Sequence, residues 1–152
     1  MKTLQVRYKH TNIIARDWKR LANFYEKVFN CKRLLPERHL QGSWLDKVTA
    51  LEKVSLDGVH LLLPGYGEKD PTLEIFSYNK IEDKPLPKTN RSGIAHIAFE
   101  VDNVQNYYSK VIENGGKKIG DITTQTVEGV GKLTVVYMLD PEDNIIELQS
   151  WS

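Results

Sequence analysis

Apolar and polar positions along this chain run through the same order twice. His10 opens an extended, β-branched run, HTNIIA, that Asp17 closes, and His96 opens a second, HIAFEV, that Asp102 closes. Each Asp stands where a helix N-cap is expected, its short carboxylate able to accept from the first free backbone N–H groups. WKRLANFYEKVFN then places Leu21, Tyr25 (or Phe24) and Val28 on one helical face, and NVQNYYSKVIENGG does the same with Val104, Tyr107, Tyr108 and Val111. Gly115 and Gly116 form a C-terminal stop for the second helix. Strand patterns follow, CKRLLPE and VSLDGVHLLLP in the first half and GKKIGD and KLTVVYML in the second. Each half ends on a short strand that carries a glutamate, Glu74-Ile75-Phe76-Ser77-Tyr78 and Glu147-Leu148-Gln149-Ser150-Trp151.

Spacing separates the halves where pattern does not. His10 and His96 lie 86 positions apart, whereas Glu74 and Glu147 lie 73 apart, so the first half holds extra residues, which we place around HLQGSWLDK. Asp57-Gly58 could form a tight hairpin, but the plan of the second half favours a bulge or bend within one long strand. NKIEDKPLPKTNRS, polar and with two prolines, reads as the linker between halves.

Composition narrows the class. A chain of 152 residues, 40% hydrophobic and 27% charged, can bury one sizeable core, and we read it as one compact unit. Its 21 Lys and Arg nearly balance 20 Asp and Glu, so no broad positive field recruits nucleic acid or an anionic membrane. No apolar run has the length of a signal peptide or a membrane span, and the expected compartment is the cytoplasm. A lone Cys31 agrees with a reducing compartment and reads as a packing residue.

Chemistry enters through four residues that recur in equivalent places: His10, Glu74, His96 and Glu147. Alternation along strands lets a His opening one strand and a Glu on another share a face of a sheet. Taken singly, each has an ordinary reading, a hydrogen-bonded surface His or a solvated Glu. Recurrence changes that reading, because Leu73-Glu74-Ile75 and Ile146-Glu147-Leu148 put each carboxylate in apolar surroundings, where it needs a partner. Two imidazoles and two carboxylates suit a divalent ion such as Ni, Co, Zn, Mn or Fe and leave positions open for substrate oxygens. Other candidates are weaker. His39, beside Arg38, reads as a solvated loop residue, and His60, in an apolar strand, as a packed histidine rather than one lining a cavity. Gly129, Gly131 and Lys132 lack phosphate-loop spacing. Neither a GxSxG elbow nor a motif around Cys31 supplies a nucleophile.

HTNIIARDWKRLANFYEKVFN, LEIFSY, GIAHIAFEVDN and DPEDNIIELQ together resemble the signature stretches of the vicinal oxygen chelate superfamily over nearly the whole chain. That superfamily includes glyoxalase I, methylmalonyl-CoA epimerase, extradiol dioxygenases, fosfomycin-resistance enzymes and bleomycin-binding proteins. The resemblance implies an α+β fold of two βαβββ modules forming a curved mixed sheet around a metal site. On that basis we expect a single domain over 1–152, with one module at 5–79, a linker at 80–92 and a second module at 93–152. The ligand set is most similar to that of glyoxalase I, which implies His10, Glu74, His96 and Glu147 as metal ligands, Glu147 falling seven residues after the Asp140 of the DPEDN turn. Ile14 and Tyr78 stand where glyoxalase I carries an arginine and an asparagine, which argues against glutathione as co-substrate.

The expected chemistry is proton abstraction next to a carbonyl of a metal-chelated small molecule, a lyase or isomerase reaction with Glu147 as base and Glu74 as its counterpart. Two alternatives stand beside it: an Fe(II) extradiol-type dioxygenase using His10 or His96 with Glu147, and a non-catalytic binder of small molecules such as antibiotics. Superfamily members often assemble as dimers, so a homodimer is expected. Trp44, in the longer connection, reads as a pocket, core or dimer-interface aromatic.

Overall fold

A computed structural model describes residues 5–152. The fold is mixed α+β, with two mixed sheets in two compact units, one comprising residues up to Glu26 and Asn30–Glu82 and the other Lys27–Phe29 and Asp83–Ser152. Among the described residues no helix is long and apolar enough to cross a membrane.

In the first unit the order is β1 (His10–Ile14), α1 (Trp18–Phe29), β2 (Lys32–Gln41), a short α2 (Ser43–Thr49), β3 (Ser55–Leu62) and β4 (Thr72–Tyr78). The sheet runs β1-β4-β3-β2, with β1 parallel to β4 and the other pairs antiparallel. A parallel neighbour cannot be reached by a hairpin, so the chain between β1 and β4 has to cross over, and α1 begins that crossover. Asp17 caps α1 as its position predicts, accepting from the Arg20 backbone N–H at 3.0 Å. Leu21, Ala22, Phe24, Tyr25 and Val28 are buried while Lys19, Arg20 and Lys27 are exposed, which is the stripe the sequence shows. Asn30 ends the helix in the left-handed conformation that Asn tolerates.

The second unit repeats the plan with β5 (Ile97–Glu100), α3 (Val104–Glu113), β6 (Lys117–Lys118), β7 (Thr123–Val127), β8 (Gly131–Leu139) and β9 (Ile145–Trp151). Its sheet runs β5-β9-β8-β6, β7 also pairing with β8, and β5 is parallel to β9. The cap of α3 is Asn103 and not Asp102: Asn103 Oδ1 accepts from the Asn106 backbone N–H at 2.9 Å, and the helix starts one residue later than the first half suggests.

Both second strands carry the same irregularity. Leu34 pairs with His60 and Arg38 with Gly58, so four steps on β2 face two on β3. In the second unit Lys118 pairs with Met138 and Thr123 with Val135, five steps against three, which is the same excess of two residues. In β2 the bulge falls around Pro36, which has no N–H to give a ladder. In the second unit it separates β6, which keeps only Lys117–Lys118 of the GKKIGD pattern, from the unforeseen β7 that follows that pattern.

β3 runs unbroken through Asp57-Gly58, so no hairpin forms there, and the bulge lies on β2 rather than at Gly58. Gly58 is required for another reason: a Cβ on it would lie 2.1 Å from the Ile75 carbonyl oxygen of β4 and 2.3 Å from the Phe76 ring. The extra residues of the first half lie in two places. The β3–β4 connection, 63–71, has nine residues against five in 140–144, which accounts for four of them. The others precede β3, where α2 tucks Leu45 against Val54, Leu56 and Phe76 and leaves Trp44 half exposed.

Candidate metal centre

The last strand of each sheet carries its glutamate in the middle of a buried run. Leu73 and Ile75 are fully buried on one face of β4, so alternation turns Glu74 to the other face, where it is 9% exposed. Pairing then decides its neighbours. Asn12 on β1 and His60 on β3 stand directly opposite Glu74, and His10, two residues before Asn12, shares the same face.

The side chains meet accordingly. His10 Nε2 lies 3.5 Å and His60 Nε2 3.1 Å from Glu74 Oε2. Asn12 Nδ2 donates to Glu74 Oε1 at 3.1 Å, which orients the carboxylate. His60 Nδ1 is in hydrogen-bond contact with Thr72 Oγ1 at 3.2 Å. The two imidazoles meet edge to face, with centroids 5.9 Å apart. Burial pushes the Glu74 carboxyl above the ordinary carboxylate range, against the opposing pull of His10 and Arg38. Burial likewise pulls the His60 imidazole below its usual value, helped by the nearby positive charges of Arg38, His10 and Lys9.

The second unit reproduces the register. Ala98 on β5 and Tyr137 on β8 stand opposite Glu147, with His96 two residues before Ala98. His96 Nε2 lies 2.8 Å from Glu147 Oε2, and Gln149 Nε2 donates to Glu147 Oε1 at 2.9 Å, in the orienting role that Asn12 has in the first unit. Tyr137 takes the place of His60, its ring centroid 5.0 Å from that of His96. Glu147 is also 9% exposed. Just upstream, the fully buried Asp140 accepts from the Glu142 and Asn144 backbone N–H groups at 2.9 and 3.0 Å, fixing the DPEDN turn that leads into β9.

The structure therefore brings His10 together with Glu74, and His96 together with Glu147. It adds His60, which takes part in the polar cluster rather than serving as simple packing. The β3–β4 register would have revealed it, but the unequal hairpins hide that His60 and Tyr137 are counterparts. Ring nitrogens of His10 and His60 and an oxygen of Glu74 all lie within 4.8 Å of one another, a donor set that fits a divalent transition ion.

The remaining candidates stay outside the site. His39 is on β2 rather than in a loop, exposed but paired with the Asp57 carboxylate on β3. Cys31 is buried, and burial together with the nearby Glu26 charge raises its thiol to about 12, so it is no nucleophile. Glu128 to Val130 form the turn between β7 and β8, closed by the Val130 N–H on the Val127 carbonyl at 3.0 Å.

Comparison with known proteins agrees with the fold. Residues 7–148 match the model of the Glyoxalase/Bleomycin resistance protein/Dioxygenase superfamily. No curated protein matches closely enough to serve as a named relative. Among solved structures, a glyoxalase family protein from Bacillus cereus superposes with a TM-score of 0.83 at 17% identity, covering 99% of this chain and 98% of that one. An integron cassette protein from V. cholerae matches with a TM-score of 0.55 at 21% identity over 100% of both chains. The fosfomycin resistance protein FosX of Listeria monocytogenes, in a structure with Mn(II) and sulfate, gives 0.55 at 16% identity, covering 99% of this chain and 95% of that one. At these identities the likeness is one of fold.

Proposed function

Because the chain belongs to the Glyoxalase/Bleomycin resistance protein/Dioxygenase superfamily, we propose that it is a metal-dependent lyase or isomerase of the glyoxalase I-like type. On this reading one domain of two modules removes a proton next to a carbonyl of a metal-chelated small molecule. His10, Glu74, His96 and Glu147 hold the ion. The observation that carries this reading is the repeated register: each unit independently sets a largely buried glutamate against a histidine two residues upstream of its cross-strand neighbour.

A divalent ion, Ni, Co, Zn or Mn in preference to Fe, supplies Lewis-acid stabilisation of the negative charge that develops on substrate oxygens. The chain's own groups do the rest. Glu147 takes the proton at Oε2, with its other oxygen held by Gln149 and its approach fixed by the Asp140 turn. Glu74, its counterpart in the first unit, returns a proton. The apolar neighbours Leu73, Ile75, Ile146 and Leu148 keep the strands rigid around both carboxylates.

The test is hydrogen exchange. Metal-loaded protein in D2O, offered a set of α-hydroxy and α-oxo carbonyl compounds, should wash out the C–H signal next to the carbonyl of at least one. Glu147→Gln should lose that exchange while retaining metal. Unimpaired exchange in that variant would remove Glu147 from the role of base.

A second reading has an observation of its own. Two histidines and one glutamate on a single sheet face are the donor set of non-haem Fe(II) oxygenases, and His10, His60 and Glu74 provide it. Oxygen consumption with a catechol that depends on Fe(II) and on His10 would favour a dioxygenase.

A further inference from the structure

We propose that His60 is a ligand of the ion held by His10 and Glu74, so that the first unit alone supplies a two-histidine, one-carboxylate set. The proposal rests on the metal-dependent reading above and adds a donor to it.

Four observations point this way. His60 stands directly across from Glu74 in the β3–β4 ladder, so both side chains leave the same face at the same level. The separations from Glu74 Oε2, 3.1 Å to His60 Nε2 and 3.5 Å to His10 Nε2, match the edges of a coordination polyhedron. With metal–ligand bonds of about 2.1 Å, neighbouring donors lie about 3.0 Å apart in an octahedron and about 3.4 Å apart in a tetrahedron. Asn12 holds the other oxygen, Oε1, which leaves Oε2 as the one turned toward both rings.

The third observation is the anchoring of the ring. Its distal nitrogen, Nδ1, is in contact with the hydroxyl of Thr72, which is only 2% exposed, and its face meets Phe76 edge-on with centroids 5.9 Å apart. A ligating imidazole characteristically spends its second nitrogen on such a partner, which fixes the ring and aims the first nitrogen at the ion. The fourth is asymmetry. Tyr137 occupies the same register position in the second unit, so the repeat does not require a histidine there. A phenol would pack in that position, whereas an imidazole adds a nitrogen donor to an already donor-rich face.

Co(II) is a suitable probe, because each imidazole bound to it contributes its own set of strongly shifted ring-proton resonances. In His60→Gln, which keeps an amide capable of hydrogen-bonding Glu74, one set should vanish and Co(II) affinity should fall at least tenfold. The metal-free melting temperature should stay close to that of the unaltered protein. Thr72→Val offers an independent arm: the His60 set should persist but move, with affinity down about tenfold. A full complement of shifted sets and unchanged affinity in His60→Gln would overturn the assignment and leave the metal reading standing. Failure of the unaltered protein to take up Co(II) at all would overturn both.

Discussion

Glu74 and Glu147 each sit largely out of water with one oxygen toward an imidazole and the other toward a side-chain amide. A carboxylate in that position costs several kcal/mol unless its charge is met, so the partners are requirements rather than ornaments. Cys31 shows the opposite case, a titratable group that burial silences. With its thiol at about 12, it should resist a disulfide reagent at pH 8 in the folded protein and react fully in denaturant; rapid reaction in the native state would contradict the burial. Gly58 is constrained by space alone, since a Cβ would meet the Ile75 carbonyl at 2.1 Å. Gly58→Val should lower the urea midpoint by an amount equivalent to about 2–3 kcal/mol. The histidine–glutamate pairs were legible at this scale because they repeat. His60 was not, since single-residue reading of an apolar strand cannot tell which of its neighbours lies across the ladder.

Helix starts and turns show how far local pattern reaches. Asp17 was legible as a cap, but Asp102-Asn103 offers two adjacent capping residues, and only backbone geometry selects the second. Asn103→Ala should therefore cost about 1 kcal/mol and Asp102→Ala less than about 0.5 kcal/mol in equilibrium unfolding. The reverse order would place the cap at Asp102. Asp140 organises the turn before β9 through bonds to Glu142 and Asn144. Asp140→Ala, which orphans those half-buried donors, should destabilise by about 1–3 kcal/mol, measured in the same way. The elements that escaped the sequence are short or interrupted. α2 has seven residues and no long apolar stripe, and β7, TTQTV, is exposed on an edge with little hydrophobic alternation. The two-residue bulge shared by β2 and the β6–β7 pair left no trace in composition beyond Pro36.

At the scale of the whole chain, the informative feature is duplication carried to the level of register. Both sheets have the order first, last, penultimate, second strand, and both place His, Glu and a ring-bearing residue at matching rungs. Duplication was legible from His10, Glu74, His96 and Glu147, and it led to the superfamily that the match over residues 7–148 establishes. What the halves do not share, the nine-residue connection against five and the His60–Tyr137 exchange, lies where unequal loop lengths break a sequence comparison. Substrate choice was not legible, because no repeated residue encodes it. The most direct test of the central claim is the metal content of protein purified without chelator, set against a His10→Ala/Glu147→Ala double variant. About one divalent ion per chain in the unaltered protein and none in the variant is the expected result. No ion in the unaltered protein, even after reconstitution with Ni, Co, Zn, Mn or Fe, would contradict it and leave the repeated histidine–glutamate pairs as a scaffold.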